Sequence, residues 1–576
     1  MIKEHIKAIR ALFSKHNING YIIPSNDEYM SEYTPHYAKR LEYISGFTGS
    51  NGIVVILEET SIFFTDGRYL DQSKYQLDPN IFQIFDIKSL PDFKWEKYIN
   101  INNLVGYDPK LFTNLKLKSF SNINLQSIDD NLIDKIWNNQ PSKPSSKIYI
   151  YPVEFAGQSY EDKIALCRKT LVKHKAEGMI ISLADSICWL LNLRASDIEY
   201  APLMLGLVIL THDNLYLFVD SNRMDTQTIN QRPEITMLQE EQFPEILKAI
   251  TGKILVDENS SSNFIMNLLA DRNIEKINDP CQLLKACKND IEIKYAITSH
   301  IKDGVAICES LAHISGLQKT RLEMLSEYDI GLLVTEYRSK QDGFVMNSFP
   351  PICGFKENSA IIHYFATKDK AKKLSGSGLL LIDSGGQYMG ATTDITRTIS
   401  IGQPTNEQKK RYTQVLKGHI ALARIKFPSI TTGSNIDVLA RQYLWQDCKD
   451  YPHGTGHGVG SFLSVHEGPQ NINQHSNIIL QVGMIISNEP GYYLSGEFGI
   501  RIENLVYVKK SDAYDFLEFE NLTLVPFAKE LIDNALLNSD ELDYIKKYYQ
   551  TIRSKIYPLL SPEAKLWLSN QLAIVI

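Results

Sequence analysis

Residues 379–400 read LLLIDSGGQYMGATTDITRTIS. The apolar run Leu379 to Ile382 ends in Asp383, Ser384-Gly385-Gly386 signals a turn, and residues 393–399 alternate polar with apolar. That pattern predicts a twisted hairpin, with Asp383 and Asp394 on its adjacent strands. Unpaired carboxylates inside a sheet are costly, so something cationic is expected between them. The hairpin alone leaves two readings open: acids that are solvated or paired with an arginine such as Arg397, and acids that share a bound cation.

Downstream, YPHGTGHGVGSFLSVHEG (451–468) sets His453, His457 and His466 among four glycines at 454, 456, 458 and 460. A lone histidine is usually structural. Three among glycines, where backbone can approach a ligand closely, suggest a site. The spacing is not HExxH, which excludes the helical zinc-protease arrangement. GMIISNEPGYY (483–493) places Glu489 after an apolar strand and before a Pro-Gly turn. GIRIENLVYV (499–508) reads as one alternating strand, with Ile500 and Ile502 on one side and Arg501 and Glu503 on the other. Asp383, Asp394, His457, Glu489 and Glu503 thus offer four carboxylates and one imidazole from strand-flanking positions. Bridging carboxylates can hold two divalent ions about 3.5–4 Å apart. An oxygen-rich set with one nitrogen favours Mn, Co or Zn over a thiolate-selected metal.

Upstream, KHNINGYII (15–23) and KHKAEGMII (173–181) repeat one order: a helical segment ending in Lys-His, then a glycine, then an apolar strand. Gly20 and Gly178 are expected where each helix stops, and the shared order predicts two related α/β domains. NNQPSKPSSKIY (138–149) reads as a linker. A second break near 277–290 precedes Ile297, Ile301, Val305, Cys308 and Leu311 at helical spacing. The expected domains are 1–145, 146–285, 286–510 and a C-terminal extension, 511–576. In that extension Leu542, Ile545, Tyr549, Ile552 and Ile556 form an apolar stripe, read as packing or as a subunit contact. Trp445 is read as a core anchor, with a subunit contact as the alternative.

The 576 residues suffice for three or four domains at roughly 100–200 residues each. With 43% apolar and 22% charged residues the composition is that of a globular protein. A net charge of −7 gives no electrostatic footprint for nucleic acid or an anionic membrane. No apolar run of the roughly 18 residues that span a bilayer occurs. The N-terminal segment, with Glu4 among Ile2, Ile6, Ile9 and Phe13, reads as an amphipathic helix and not as a signal peptide. Seven cysteines without a CxxC pair fit a reducing cytoplasm.

In order and spacing, the two aspartates, HGTGHG, NEPGYY and RIEN resemble the dinuclear metallopeptidases of the methionine aminopeptidase, prolidase and aminopeptidase P group, which have the pita-bread fold. SGFTGSNG (45–52), FTDGRY (64–69), CWLLNLRASDIEY (188–200) and SFPPICGFKENSAIIHY (348–364) are similar to signatures of the cytosolic three-domain X-prolyl aminopeptidases. The resemblance implies an α/β and α+β chain: two related creatinase-like α/β domains, a pita-bread catalytic domain and a C-terminal extension packed on it. It implies that Asp394 and Glu503 bridge two metal ions, manganese first with zinc or cobalt as alternatives. Asp383 would complete one ion, and His457 with Glu489 the other. His363 matches the family histidine near the scissile bond, and His453 and His466 match two active-site histidines that contact substrate; His363 or His466, with the metals, would stabilise the oxyanion. Arg68 matches a substrate-binding arginine, and Tyr493 and Arg501 are also expected to contact substrate. Arg501 is further expected to orient Glu503. Glu489 would shuttle a proton to the leaving prolyl nitrogen. The implied activity removes the residue before proline from a peptide N-terminus, in a cytoplasmic homodimer. A prolidase-like dipeptidase and an inactive peptide-binding module are the alternatives. The stretch FKENSA (355–360) departs from the glycine-rich family pattern before the histidine, which leaves the shape of that loop open.

Overall fold

The computed structural model of the chain describes residues 1–100, 102–225 and 230–573. They divide into two compact units, Met1–Pro152 with Gln158–Gln282, and Val153–Gly157 with Leu283–Ile576.

The first unit contains two six-stranded sheets of one topology. In the first sheet the order is Phe82–Asp86, Ser61–Thr65, Ile53–Leu57, Gly20–Pro24, Leu104–Tyr107 and Asn124–Ser127. In the second it is Ile235–Leu238, Leu215–Phe218, Leu207–Thr211, Gly178–Ile181, Ile254–Val256 and Ile274–Lys276. The sense of each neighbouring pair also agrees between the sheets: parallel, antiparallel, antiparallel, parallel, parallel. The repeat in the sequence is therefore a structural repeat.

Its glycines act differently from the expectation. The helices Ile2–His16 and Tyr160–His174 end on Asn17 (φ 53°) and Lys175 (φ 51°) in the left-handed conformation, and Gly20 and Gly178 open the strands that follow. Asparagine tolerates that conformation, so no glycine is needed at the first cap. At Gly20 the requirement is space: a Cβ would lie 2.6 Å from a Leu57 methyl and 3.0 Å from the Ile56 carbonyl oxygen. Ile6, Ile9 and Phe13 bury the apolar face of the first helix against this sheet. Residues 140–148 have no regular structure, as their Pro/Ser content predicts.

In the second unit Asn289 caps the helix Asp290–Gly316, its side chain accepting from the Ile291 and Glu292 N–H groups while Glu292 reaches back to the Asn289 N–H. Val305, Cys308 and Leu311 on this helix are buried, whereas Ile297 is exposed. Two sheets carry the chemistry. One joins Ile352–Phe355, Gly378–Ser384 and Ile395–Ile401; the other orders Lys426–Pro428, Phe516–Asn521, Asn504–Lys510, Ile485–Asn488, Gly456–Gly458 and Glu467–Ile472. The hairpin forms as expected, with Asp383 opposite Thr396. Its connection is more than a turn, because Gly386–Tyr388 leaves to pair with Phe344–Asn347.

The stripe of the helix Ser539–Lys555 packs inward: Ile545, Tyr549, Ile552 and Ile556 share a core with Val305, Leu311 and Ile382. Packing is thus the reading that holds for it. Trp445 ends the helix Gly433–Trp445 with 42% of its surface exposed, so it is not the core anchor expected. No helix among the described residues is long and apolar enough to cross a membrane.

Candidate metal centre

Strand register brings the acids together. Asp383 is the penultimate residue of Gly378–Ser384, and Asp394 immediately precedes the paired strand Ile395–Ile401. The segment read as one strand over 499–508 is broken: Phe498–Arg501 and Asn504–Lys510 are separate strands, and Glu503 lies in the gap. There its N–H donates to the Thr396 carbonyl at 3.1 Å, and its Oε2 accepts from the Thr396 hydroxyl at 2.8 Å. The break turns Glu503 toward the aspartates. Glu489 follows the strand Ile485–Asn488 and is held by its N–H on the Thr455 carbonyl at 2.8 Å.

His457 sits in the short strand Gly456–Gly458, which crowds Ser487: a Cβ on Gly456 would lie 1.9 Å from the Ser487 carbonyl oxygen. Only glycine permits that approach. His457 Nε2 is 3.5 Å from Asp394 Oδ2 and 3.7 Å from Glu489 Oε1. Its Nδ1 pairs with the Gly458 carbonyl at 3.0 Å, which leaves Nε2 facing the two carboxylates. One ligand atom each from Asp394, His457 and Glu503 lie within 4.8 Å of one another.

The electrostatics ask for a cation. Asp383 Oδ1, Asp394 Oδ1 and Glu503 Oε1 are buried without a hydrogen-bond partner. Burial, reinforced by Asp383 and Glu489, holds the Asp394 carboxyl well above its ordinary range. Burial, with Asp394 and Asp383, does the same to Glu503. Burial and then Glu503 push Glu489 up to about 7. Buried acids that repel one another and keep unfilled oxygens fit divalent cations, whose charge removes that penalty.

The surrounding residues make one network. Arg501 donates from Nη2 to Asp383 Oδ2 at 2.5 Å, from Nη1 to the Tyr493 hydroxyl at 2.7 Å, and from Nε to the Thr396 hydroxyl at 3.2 Å. Tyr493 reaches His453 Nε2 at 2.9 Å. Arg501 therefore grips Asp383 directly, and reaches Glu503 through the Thr396 hydroxyl and by its charge. Arg397 pairs with neither aspartate; it donates to the carbonyls of Glu503 and Val525 and to Asn504 Oδ1. The ring of His466 meets that of His457 edge-on at 4.3 Å. His363 enters on the loop whose Ile362 carbonyl accepts from Arg501 at 3.4 Å. Arg68 belongs to the first unit, where it grips Asp66 with bonds of 3.0 and 2.8 Å.

Two supports escaped the sequence reading. Thr396 shares a strand face with Asp394, a signal present in the alternation of TTDITRT. Arg441 holds the His453 segment through the Tyr451 and His453 carbonyls, at 2.9 and 2.7 Å, and nothing in its helical context marks it.

Fold and site together define a metallopeptidase. Residues 282–510 match metallopeptidase family M24, residues 515–574 the C-terminal region of peptidase M24, and residues 5–135 and 139–292 the creatinase/prolidase N-terminal domain. Proteins described as probable Xaa-Pro aminopeptidase P are similar over nearly the full length. That of Pyrenophora teres f. teres is 37% identical, over 98% of this chain and 92% of its own. That of Leptosphaeria maculans is 36% identical, over 99% and 98%. The crystal structure of an X-prolyl aminopeptidase from Caenorhabditis elegans, described as a cytosolic enzyme with a di-nuclear active site, superposes with a TM-score of 0.94, at 29% identity and full coverage of both chains. The Pyrococcus horikoshii prolidase is alike in fold alone, at 22% identity and a TM-score of 0.52 over 64% of this chain and 99% of its own. The chain belongs to the aminopeptidase P family of the M24 metallopeptidases.

Proposed function

We infer that this protein is an X-Pro aminopeptidase, removing the first residue from peptides with proline in second position. The observation that carries the reading is the cluster of Asp394, His457 and Glu503, with Glu489 3.7 Å from His457 and orphaned buried oxygens on Asp383, Asp394 and Glu503, in a chain that matches aminopeptidase P relatives over nearly its whole length. Asp383, Asp394, His457, Glu489 and Glu503 would hold two divalent cations, Asp394 and Glu503 serving both, Asp383 one and His457 with Glu489 the other. Manganese suits the oxygen-rich set, and zinc and cobalt share it. A cytoplasmic homodimer is the form we propose, by likeness to the C. elegans enzyme for the compartment.

Bound divalent cations would polarise the scissile carbonyl and make water nucleophilic near neutral pH. The chain supplies the rest. Arg501 fixes Asp383, and Thr396 fixes Glu503, so neither carboxylate swings when substrate enters. Glu489 takes the proton of the attacking water on a carboxylate oxygen and returns it to the prolyl nitrogen, which cannot leave as an anion. His363 and His466 face the oxyanion of the tetrahedral intermediate. The chain Arg501–Tyr493–His453 forms a fixed polar wall for the peptide. Arg68 is assigned to peptide binding by its motif.

The test is an assay of a Lys-Pro-Pro-type tripeptide, an X-Pro dipeptide and a proline-free peptide, after chelation and restoration with each metal. Release of only the first residue of the tripeptide, restored by manganese, supports the reading. Cleavage of the dipeptide alone identifies a dipeptidase, and no cleavage a binding module.

A further inference from the structure

Glu327 is fully buried and lies far in sequence from the five acid and imidazole ligands assigned above. It is the first residue of the helix Glu327–Ser339, where the exposed N–H groups favour a negative charge. Its partners all lie between Phe355, at the end of the strand Ile352–Phe355, and Lys372. Oε1 accepts from the Phe355 N–H at 2.7 Å and from the Asn358 amide at 3.0 Å; Oε2 accepts from the Tyr364 hydroxyl at 2.8 Å and the Lys372 N–H at 2.7 Å. The Asn358 amide also lies 3.1 Å from Oε2 and 3.0 Å from the Tyr364 oxygen. One carboxylate therefore ties down backbone before and after His363, and the side chain of its immediate neighbour Tyr364.

The loop is seated on its other side by close backbone packing. Ser359 donates no room for a side chain at Gly499, where a Cβ would fall 1.9 Å from the Ser359 carbonyl oxygen, while the Gly499 N–H donates to Ser359 Oγ at 2.7 Å. Gly354 is closed in the same way, its Cβ position 2.8 Å from the Asn358 carbonyl oxygen. In this setting KENSA folds as a single 3₁₀ turn, Lys356–Ala360, which presents Asn358 to Glu327. Charge-assisted hydrogen bonds to backbone N–H groups are the strong kind, and a buried carboxylate serves only if both oxygens are filled, as they are here.

We propose that Glu327 is a positioning residue for His363: its carboxylate clamps Phe355, Asn358, Tyr364 and Lys372, and so fixes the imidazole against the reacting carbonyl. The proposal rests on the aminopeptidase reading, in which His363 meets the oxyanion. Glu327→Gln keeps the size but replaces one acceptor with a donor, so either the Phe355 or the Lys372 N–H loses its partner.

The test is a double-mutant cycle on the metal-loaded full chain, with hydrogen exchange as a second readout. Glu327→Gln is expected to lower kcat roughly tenfold on the X-Pro tripeptide, with KM and metal content unchanged, and to speed amide exchange within residues 355–372. In a His363→Ala background the same substitution is expected to change kcat by less than about twofold, because its effect passes through His363. Equal fold-losses in both backgrounds, or unchanged exchange in the loop, would overturn the proposal. If Glu327→Gln does not fold, Tyr364→Phe removes one of the bonds and is held to the same non-additivity. A wild-type chain inactive on every X-Pro peptide refutes the aminopeptidase reading, and loop exchange then still decides whether Glu327 clamps the loop.

Discussion

The Arg501 guanidinium and the Asp383 carboxylate meet at 2.5 Å, both buried, and the same guanidinium holds Tyr493 at 2.7 Å. The pair places a fixed positive charge at one edge of an acid cluster. It neutralises only part of that cluster, since Asp394 and Glu503 keep oxygens without partners. A planar fork is needed to serve Asp383, Tyr493 and Thr396 at once, and an ammonium cannot do so. Arg501→Lys should therefore weaken metal binding about 10–100-fold, measured by titration against a competing chelator. Unchanged affinity would mean that Asp383 needs no such support.

Glu489 is the carboxylate assigned to move a proton as well as to bind metal. Glu489→Gln keeps one ligand oxygen and removes the proton carrier, so turnover should fall by at least about 10². Stopped assays on metal-reconstituted protein measure this. Full turnover with both ions bound would assign the proton transfer elsewhere.

Gly499 has no space for a methyl group, because the Ser359 carbonyl oxygen would lie 1.9 Å from it. Gly499→Ala should push the His363 loop away, lowering both activity and thermal stability, the latter by about 1–3 kcal/mol. Gly316→Ala, where nothing lies within 4 Å, is the control and should change neither.

Asp27, in the first unit, is buried with Oδ1 accepting from the Tyr29 and Ser31 N–H groups and Oδ2 unpartnered. Burial, then the charge of Glu28, raises it to about 6. The folded value exceeds the unfolded value of about 3.9, so protonation favours the fold. That stabilisation is complete below about pH 4 and is lost as the pH rises through about 6. Asp27→Asn keeps the Oδ1 acceptor and abolishes the ionisation. Its melting temperature relative to wild type should rise between pH 5 and pH 8, by the equivalent of about 1.4 kcal/mol. A difference independent of pH would show that Asp27 ionises freely.

What the sequence made legible follows from which interactions are local. The hairpin of Asp383 and Asp394 was readable because strand alternation and a glycine turn lie within one stretch, and the shared Lys-His order of the two N-terminal copies survived into identical sheets. The strand break at Glu503 is not readable: GIRIENLVYV alternates throughout, and long-range bonds from the Ile502 N–H to Pro490 and the Glu503 N–H to Thr396 interrupt it. The shared strand face points Arg501 at Glu503, yet the break leaves that link to run through Thr396 and makes Asp383, more than a hundred residues away in sequence, its direct partner. The caps at Asn17 and Lys175 show the converse, where a glycine nearby was credited with a role that a non-glycine residue fills. Glu327 carries no local signal, since its partners lie between Phe355 and Lys372.

Anomalous diffraction from crystals of the manganese-loaded chain is the direct test of a two-metal centre at these five side chains. Two anomalous peaks about 3.5–4 Å apart are expected, with Asp394 and Glu503 between them, Asp383 on one and His457 with Glu489 on the other. A single peak, or peaks away from these five side chains, would contradict it.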